Sequence, residues 1–511
     1  MKFRVPVHST LSSVAALALC LLAAPGLQAK VSVPNIFSDH MVLQRNQPNK
    51  VWGKADAGET VTVRLANQMH QTSADAKGNW HVILDPMPAG GTHQLTIMGK
   101  GNNSLSLSDV VFGEVWICSG QSNMAWKVSN AYDPDLEALS ADHRGIRMIN
   151  FPQVGTQEPV WEHENANWMV CSPETVGNFS AVGYFFGRQL HESLGIPIGL
   201  INNAWGGSAA EAWVGRDQLV AAGKYQSVLD RWDGIASQYD ALTNKANLSD
   251  KEKEQQSALG KQLSGNQRPA NIYNGVLKSH LGYGIRGAIW YQGESNASRA
   301  YQYRDLFPLM IDSWRKEWNQ GDFPFYWVQL ADFRQETDVP VESDWAELRE
   351  AQSMTMKKLP HTGQAVIIDI GEGKDIHPKN KVVVGRRLAR LALANEYGLP
   401  IASRSPEFQS MQREEGKIIL TFEHVDLGWR TFDTAEPVGF AIAGEDKKFV
   451  WATAKILKDN RIEVSSDQVA SPVAVRYAWA DNPVCNVFDG AGLPLTPFRT
   501  DDWPGVTAGA Q

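Results

Sequence analysis

Cysteine is scarce in this chain: Cys20, Cys118, Cys171 and Cys485 are the only ones in 511 residues. None falls in a Cys-x-x-Cys pair or at a spacing that zinc ligands adopt. The expectation is therefore a protein with no metal and no cofactor. Long apolar runs are as few. Residues 11–24 form one, and nothing after them reaches the roughly 20 apolar residues that a membrane span needs. The sequence has no internal repeat, no low-complexity tract and no basic block. Lys and Arg total 48 against 56 Asp and Glu, a net charge of −8. That balance disfavours nucleic acid and anionic membrane surfaces as partners. The Gly-x-Ser-x-Gly elbow of common α/β-hydrolases is also missing.

What is present begins with an export signal. Lys2 and Arg4 precede the apolar run, and Pro25, Gly26 and small Ala29 follow it. This is the layout of a secretory leader over residues 1–29, cleaved after Ala29. Leu19, before Cys20, is too large for a lipoprotein cleavage site. Removing the leader takes away two positive charges and no acid, which leaves −10. A periplasmic or secreted location follows, with no membrane attachment once the leader is gone. There Cys118, Cys171 and Cys485 either include one disulfide or remain three thiols. The oligomeric state is open.

The rest of the chain changes grammar twice. Residues 30–108 read as short alternating strands ("VTVRLA", "WHVILD", "HQLTIMG") separated by Gly-containing turns, the pattern of a small β-sandwich. From residue 109 near-continuous apolar strands alternate with helical stretches: "VVFGEVWIC", "IPIGLINNAW", "IRGAIWYQG", "FPFYWVQLA" and "QAVIIDIG". Such strands indicate a parallel sheet covered on both faces. This α/β domain is expected over residues 109–402, with a polar helical insertion at about 214–267 whose charges face solvent. Its last helix, about 380–397, stops near Gly398 and Pro400. β text returns over residues 403–511 ("GKIILTFEHV", "VGFAIAG", "RIEVSS", "VAVRYAW"), giving a second β module.

Ligands of open parallel sheets bind beyond the carboxyl ends of the strands. Four polar clusters fall at or shortly after such ends: Gly120-Gln121-Ser122-Asn123, Asn203 to Ser208 through Trp205-Gly206-Gly207, Gln292-Gly293-Glu294-Ser295-Asn296, and Asp375-Ile376-His377-Pro378. Each alone has an ordinary explanation as a turn, a tight packing glycine or a loop brace. Together they supply what nucleophilic acyl transfer needs: a hydroxyl, a base, a carboxylate and N–H donors for an oxyanion.

These blocks carry a resemblance. "SGQSNM", "NAWGGSAAEAW", "WYQGESNA", "LREAQ" and "DIHPKNK", with the opening "PNIFSDHMVLQR", resemble the sialate O-acetylesterase family, within the wider SGNH and GDSL-like hydrolases. The resemblance runs from about residue 33 to the end of the chain. It implies a flavodoxin-like SGNH domain flanked by β-sandwich-like modules, and metal-free removal of acetyl groups from sugars. By position it implies Ser122 as nucleophile, His377 as general base and Asp375 as the acid that orients it. The backbone N–H groups of Ser122 and of Gly206 or Gly207 would form the oxyanion hole. A side-chain amide would join them, Gln292 in preference to Asn296. Gln121, Asn123, Glu294 and Trp205 would contact substrate. The wider pattern spaces acid and histidine as Asp-x-x-His, whereas here it is Asp-Ile-His, so Asp369 and Glu294 remain rivals to Asp375.

The implied partner is an O-acetylated carbohydrate, with O-acetylated sialic acid first and plant polysaccharides such as xylan or xyloglucan second. A non-catalytic carbohydrate-binding protein is the reading from another class, resting on 18 tryptophans and on Trp126, Trp205 and Trp290 near the clusters. A histidine base predicts activity that falls below about pH 6, and a neighbouring Asp375 would move that fall upward. Asn296-Ala297-Ser298 is also an N-glycosylation sequon, which would put a glycan beside the site.

Overall fold

The computed structural model describes residues 1–2 and 30–510. Apart from its first two residues, the expected leader lies outside them. Among the described residues, no helix is long and apolar enough to cross a membrane.

The run "VVFGEVWIC" belongs to one long strand, β1 (Ser104–Gly120), which is buried without interruption from Val110 to Gly120. Its neighbours are β2 (His143–Asn150), β3 (Met169–Cys171), β4 (Ile198–Asn202), β5 (Gly287–Tyr291), β6 (Phe325–Val328) and β7 (Thr362–Ala365). They lie in the order β7-β6-β5-β1-β4-β2-β3. All adjacent pairs are parallel except β2 with β3. The chain moves outward from β1 to β2, returns through β4, then crosses to β5. The topological switch therefore falls at the carboxyl end of β1, between β4 and β5, where such sheets bind ligands.

Both faces of the sheet are closed by helices, as the apolar strands require. One is covered by α1 (Ala181–Leu194) and α4 (Lys381–Asn395), the other by α2 (Ala300–Trp318) and α3 (Asp344–Lys358). Gly385 lets α4 approach α1 closely, since a Cβ there would come within 2.6 Å of Phe185 Cβ. Trp116 lies between Phe186 and Tyr326, with ring centroids 5.1 and 6.1 Å away. On the opposite face Trp290 packs on Trp213, Phe307 and Trp314. Trp290 is thus a core aromatic with no face left for a sugar.

The N-terminal sheet is continuous with this one. Strand Gly90–Met98 pairs antiparallel with β1 over Ser104 to Phe112, and Val42–Gln44 pairs parallel with Val111 to Gly113. A separate antiparallel pair, Asn49–Lys54 with Asn79–Leu84, completes the module. Strand β1 runs unbroken through residue 109, where the sequence suggests a boundary. At this joint buried Glu114 accepts hydrogen bonds from Arg45, from Arg286 Nε at 2.8 Å and from Gln44 Nε2 at 3.0 Å.

The C-terminal module holds two four-stranded antiparallel sheets around a second core. Val366 and Ile368, just beyond β7, belong to that core. Buried Arg349 of α3 keys it to the α/β domain, donating to the carbonyls of Leu330, Ala331, Ala480 and Asp481 at 2.6–2.8 Å. The insertion contains helices Arg216–Ala222, Gln226–Thr243 and Asp250–Leu263. Cys118, Cys171 and Cys485 are three free thiols.

Candidate active site

The serine turn forms because β1 ends on glycine. Gly120 has φ +133°, and a side chain there would run into the backbone of Tyr291 on β5. The chain then closes one helical turn, Ser122–Ala125, with the Gln121 carbonyl accepting from Met124 and Ala125 N–H at 3.0 Å. Ser122 is the first residue of this turn. The Ser122 side chain is half-buried. Among the described residues neither its hydroxyl nor its backbone N–H has a hydrogen-bond partner.

The glycine loop after β4 lies beside it. Trp205 N–H donates to the Gly120 carbonyl at 3.0 Å. A Cβ on Gly206 would sit 3.3 Å from Ser122 Cβ, so only glycine leaves that space open. The backbone N–H groups of Gly206 and Gly207 also lack partners among the described residues, while their carbonyls accept from Asn266 and Gln267. The end of the polar insertion therefore holds this loop in place. Its sequence carried no sign of that beyond two amides after a charged stretch.

The histidine loop closes from the other side. Asn123 Nδ2 donates to the Ile376 carbonyl at 2.9 Å, and the Trp126 ring stacks on His377 at 4.8 Å between centroids. His377 Nε2 is buried and has no hydrogen-bond partner among the described residues. Asp375 Oδ1 accepts the His377 backbone N–H at 2.9 Å and stands 3.7 Å from Nδ1, longer than a hydrogen bond. Of the rivals, Asp369 is taken up by a two-pronged pair with Arg387 at 2.6 and 2.7 Å. Glu294 Oε1 accepts from Asn123 at 2.7 Å, and burial pushes its pKa up. Asp375 is the carboxylate nearest to the imidazole.

The pKa of His377 is shifted down. Burial is the largest cause and the charge of Lys381 adds to it, while Asp375 opposes both. The upward shift expected from Asp375 alone is therefore corrected.

Other expected residues have different work. Gln292 donates both amide hydrogens, to the Ser208 carbonyl at 3.1 Å and Asn296 Oδ1 at 2.7 Å, and accepts from Tyr303 at 2.9 Å. It has no hydrogen left for an oxyanion. Asn296 is buried, accepts from Ala210 N–H and donates to Glu211 at 3.0 Å. It is a clasp, and its sequon cannot carry a glycan in this fold. Gln121 turns its carbonyl inward to the N–H groups of Gly293 and Ser295 at 3.3 and 3.4 Å. Gln121 and Asn123, both buried, brace the turn instead of facing a sugar. Trp205 is half-buried beside Gly206 and keeps part of its surface open. A cleft of about 160 Å³ lies between residues 340–342 and the C-terminal module, where Phe449, Trp451 and Trp479 line it, and it contains none of these residues.

The model of a carbohydrate esterase family, sialic acid-specific acetylesterase, matches residues 112–263 and 257–394. The chain belongs to this acetylesterase family. Mouse sialate O-acetylesterase is 29% identical over 508 residues, covering 90% of this chain and 93% of its own. The human sialate O-acetylesterase is 28% identical, with 92% and 93% covered. The crystal structure of a carbohydrate acetylesterase from Xanthomonas citri matches with a TM-score of 0.80 and 37% identity, over 93% of this chain and all of that one. The present chain is a carbohydrate acetylesterase of the sialate O-acetylesterase type.

One residue of the acetylesterase site was missed in the sequence. Lys381, the last residue of "DIHPKNK", is fully buried and donates to Asn123 Oδ1 at 2.6 Å. The signal was present: a lysine as first residue of a helix opposes the helix dipole and needs a local reason.

Proposed function

We propose that the protein is an exported serine esterase that removes O-acetyl groups from sialic acids through an acetyl-serine intermediate. The observation that carries the mechanism is the meeting of three elements at the switch point: the Ser122 turn, Gly206 within contact distance of it, and the His377 loop tied to it through Asn123. His377 Nε2 takes the proton of Ser122 as Oγ attacks the acetyl carbonyl. The negative charge that develops on the carbonyl oxygen meets the free N–H groups of Ser122 and of Gly206 or Gly207. Preorganised donors of this kind contribute on the order of 3 kcal/mol each. The sugar oxygen leaves with the proton from His377, and water then cleaves the acetyl-enzyme by the reverse transfer. Asp375 orients the imidazole after a small closure, as catalytic hydrogen bonds are often long before substrate binds.

Export rests on the leader-like residues 1–29. The sialate substrate is supported by the mammalian relatives, which are named sialate O-acetylesterases. A second reading, an acetylesterase of neutral plant polysaccharide, is favoured by the acidic net charge. Acetate release from O-acetylated sialosides, acetylxylan and acetylated xyloglucan separates the two. Turnover of sialosides at least tenfold above the polysaccharides supports the first reading, and the reverse order replaces it with the second.

A further inference from the structure

Lys381 occupies a position that costs free energy twice. It is the first residue of α4, capped by Asn380, so its charge faces the positive end of a 15-residue helix. Its side chain is also fully buried, where an ammonium loses hydration. Burial lowers its pKa to about 7, although Glu294, Glu372 and Asp375 hold it up. A purely structural lysine would recover this cost by direct contact with a carboxylate. Among the described residues Nζ makes no such pair. It donates to Asn123 Oδ1 at 2.6 Å and lies 5.3 Å from the centre of the Tyr291 ring.

Asn123 is the hub. It follows Ser122 in the chain, and its Nδ2 donates to Glu294 Oε1 at 2.7 Å and to the Ile376 carbonyl, next to His377, at 2.9 Å. The amide thus has a cation on its oxygen and an anion on its nitrogen. The lysine on the amide oxygen polarises the group so that its N–H bonds, the one to Ile376 included, are stronger donors. The two charges also fix which way the amide points, because the flipped form would set NH₂ against Lys381 and oxygen against Glu294.

We infer that Lys381 is a positioning residue of the esterase: through Asn123 it locks the serine turn against the histidine loop, and it brings a positive charge to bear on the imidazole. The inference rests on the serine-esterase reading above. The charges that face His377 are Asp375 from its own loop and Lys381 from α4, with Glu294 and Glu372 beyond the lysine. Lys381 favours the neutral imidazole that can accept the Ser122 proton, and Asp375 opposes it.

The test is Lys381→Met, which keeps length and apolar bulk and removes charge and donors. Two readouts are compared with the parent protein: kcat and KM on a small aryl acetate, and the titration of His377 followed by its imidazole ¹⁵N signals, assigned by their loss in His377→Gln. The expected result is a kcat lower by about tenfold or more with KM little changed, the scale set by misaligned catalytic groups, together with a His377 titration moved upward. Either readout staying at the parent value overturns the inference, since a packing role alone would leave the titration in place. If Lys381→Met does not fold, Lys381→Met/Glu294→Gln removes both buried charges at nearly constant volume and is judged by the same two readouts. If the parent itself hydrolyses no ester, the esterase reading fails separately, and the His377 titration still decides the role of the lysine.

Discussion

A serine hydroxyl is a weak nucleophile at neutral pH, and the groups that would raise the reactivity of Ser122 come from loops distant in sequence, at Gly206 and at Asp375 to His377. Replacing Ser122 by Ala is expected to lower turnover about 10⁴-fold or more, the scale seen when triad nucleophiles are removed. Its melting temperature should hardly change, because one half-exposed hydroxyl contributes little packing. Ser119→Ala and Ser295→Ala serve as controls and keep most activity. As the proposed base, His377 must be neutral to accept the proton, so on this mechanism the rate holds above its pKa and falls below. Burial and then Lys381 lower that pKa, and Asp375 only partly reverses them. The acid limb of kcat/KM therefore lies below about 6.5, the ordinary histidine value. A pH–rate profile with its limb above that value would contradict the electrostatics described. Gln292 offers a contrasting case. As a clasp it satisfies Ser208, Asn296 and Tyr303 at once. Gln292→Ala should cost roughly 2–3 kcal/mol of stability by leaving buried groups unpaired. If it were instead an oxyanion donor, kcat would fall about 10²-fold with the melting temperature unchanged.

The elements were legible where burial dictates sequence. Strands β1, β4, β5 and β6 announced themselves as apolar runs, and the polar residues that follow β1, β4 and β5 marked the rim. The strand read in "QAVIIDIG" is shorter than expected, because after β7 the apolar Val366 and Ile368 serve the core of the C-terminal module. Periodicity reports burial but not which core does the burying. For the same reason the continuity of β1 through residue 109 was hidden: alternation gives way to a continuous run there, which reads as a boundary although the strand continues past a local kink at Asp109, whose φ is +54°. Side-chain roles within the rim were less legible still. Gln292, Asn296, Gln121 and Asn123 look like ligands of a substrate in one dimension, and only partners distant in sequence show them to be braces. The joint at β1 carries its own prediction. Glu114→Ala would strand the charges of Arg45 and Arg286 and is expected to cost about 3 kcal/mol, as when one member of a buried ion pair is removed. Burial raises the Glu114 pKa, but the pairs with Arg286 and Arg45 outweigh it and the net shift is downward. This contribution is thus present above the unfolded carboxylate value and is lost as pH falls through the folded one. Thermal unfolding of parent and variant at neutral and acid pH checks it: the difference should shrink in acid.

At the scale of the whole molecule, the C-terminal module packs against the α/β domain that carries the candidate site. Gly371 N–H donates to Asp332 at 2.6 Å, and a Cβ on Gly373 would come within 2.6 Å of Asn482 Nδ2. Of these two contacts the second reaches the module, so the histidine loop packs on it at Gly373, and Arg349 bonds the α/β domain to it across the joint. A protein truncated after residue 402 should lose esterase activity and unfold at lower temperature, because it exposes Val366 and Ile368 and leaves Arg349 with two of its four carbonyls. Full activity in that truncated protein would refute the buttressing role. The central claim, that this acetylesterase works through Ser122, is tested most directly by acetate release from O-acetylated sialosides under matched conditions by the parent, Ser122→Ala, Ser119→Ala and Ser295→Ala proteins. The account predicts release by the parent and both controls and none above background by Ser122→Ala. Undiminished release by folded Ser122→Ala would contradict it.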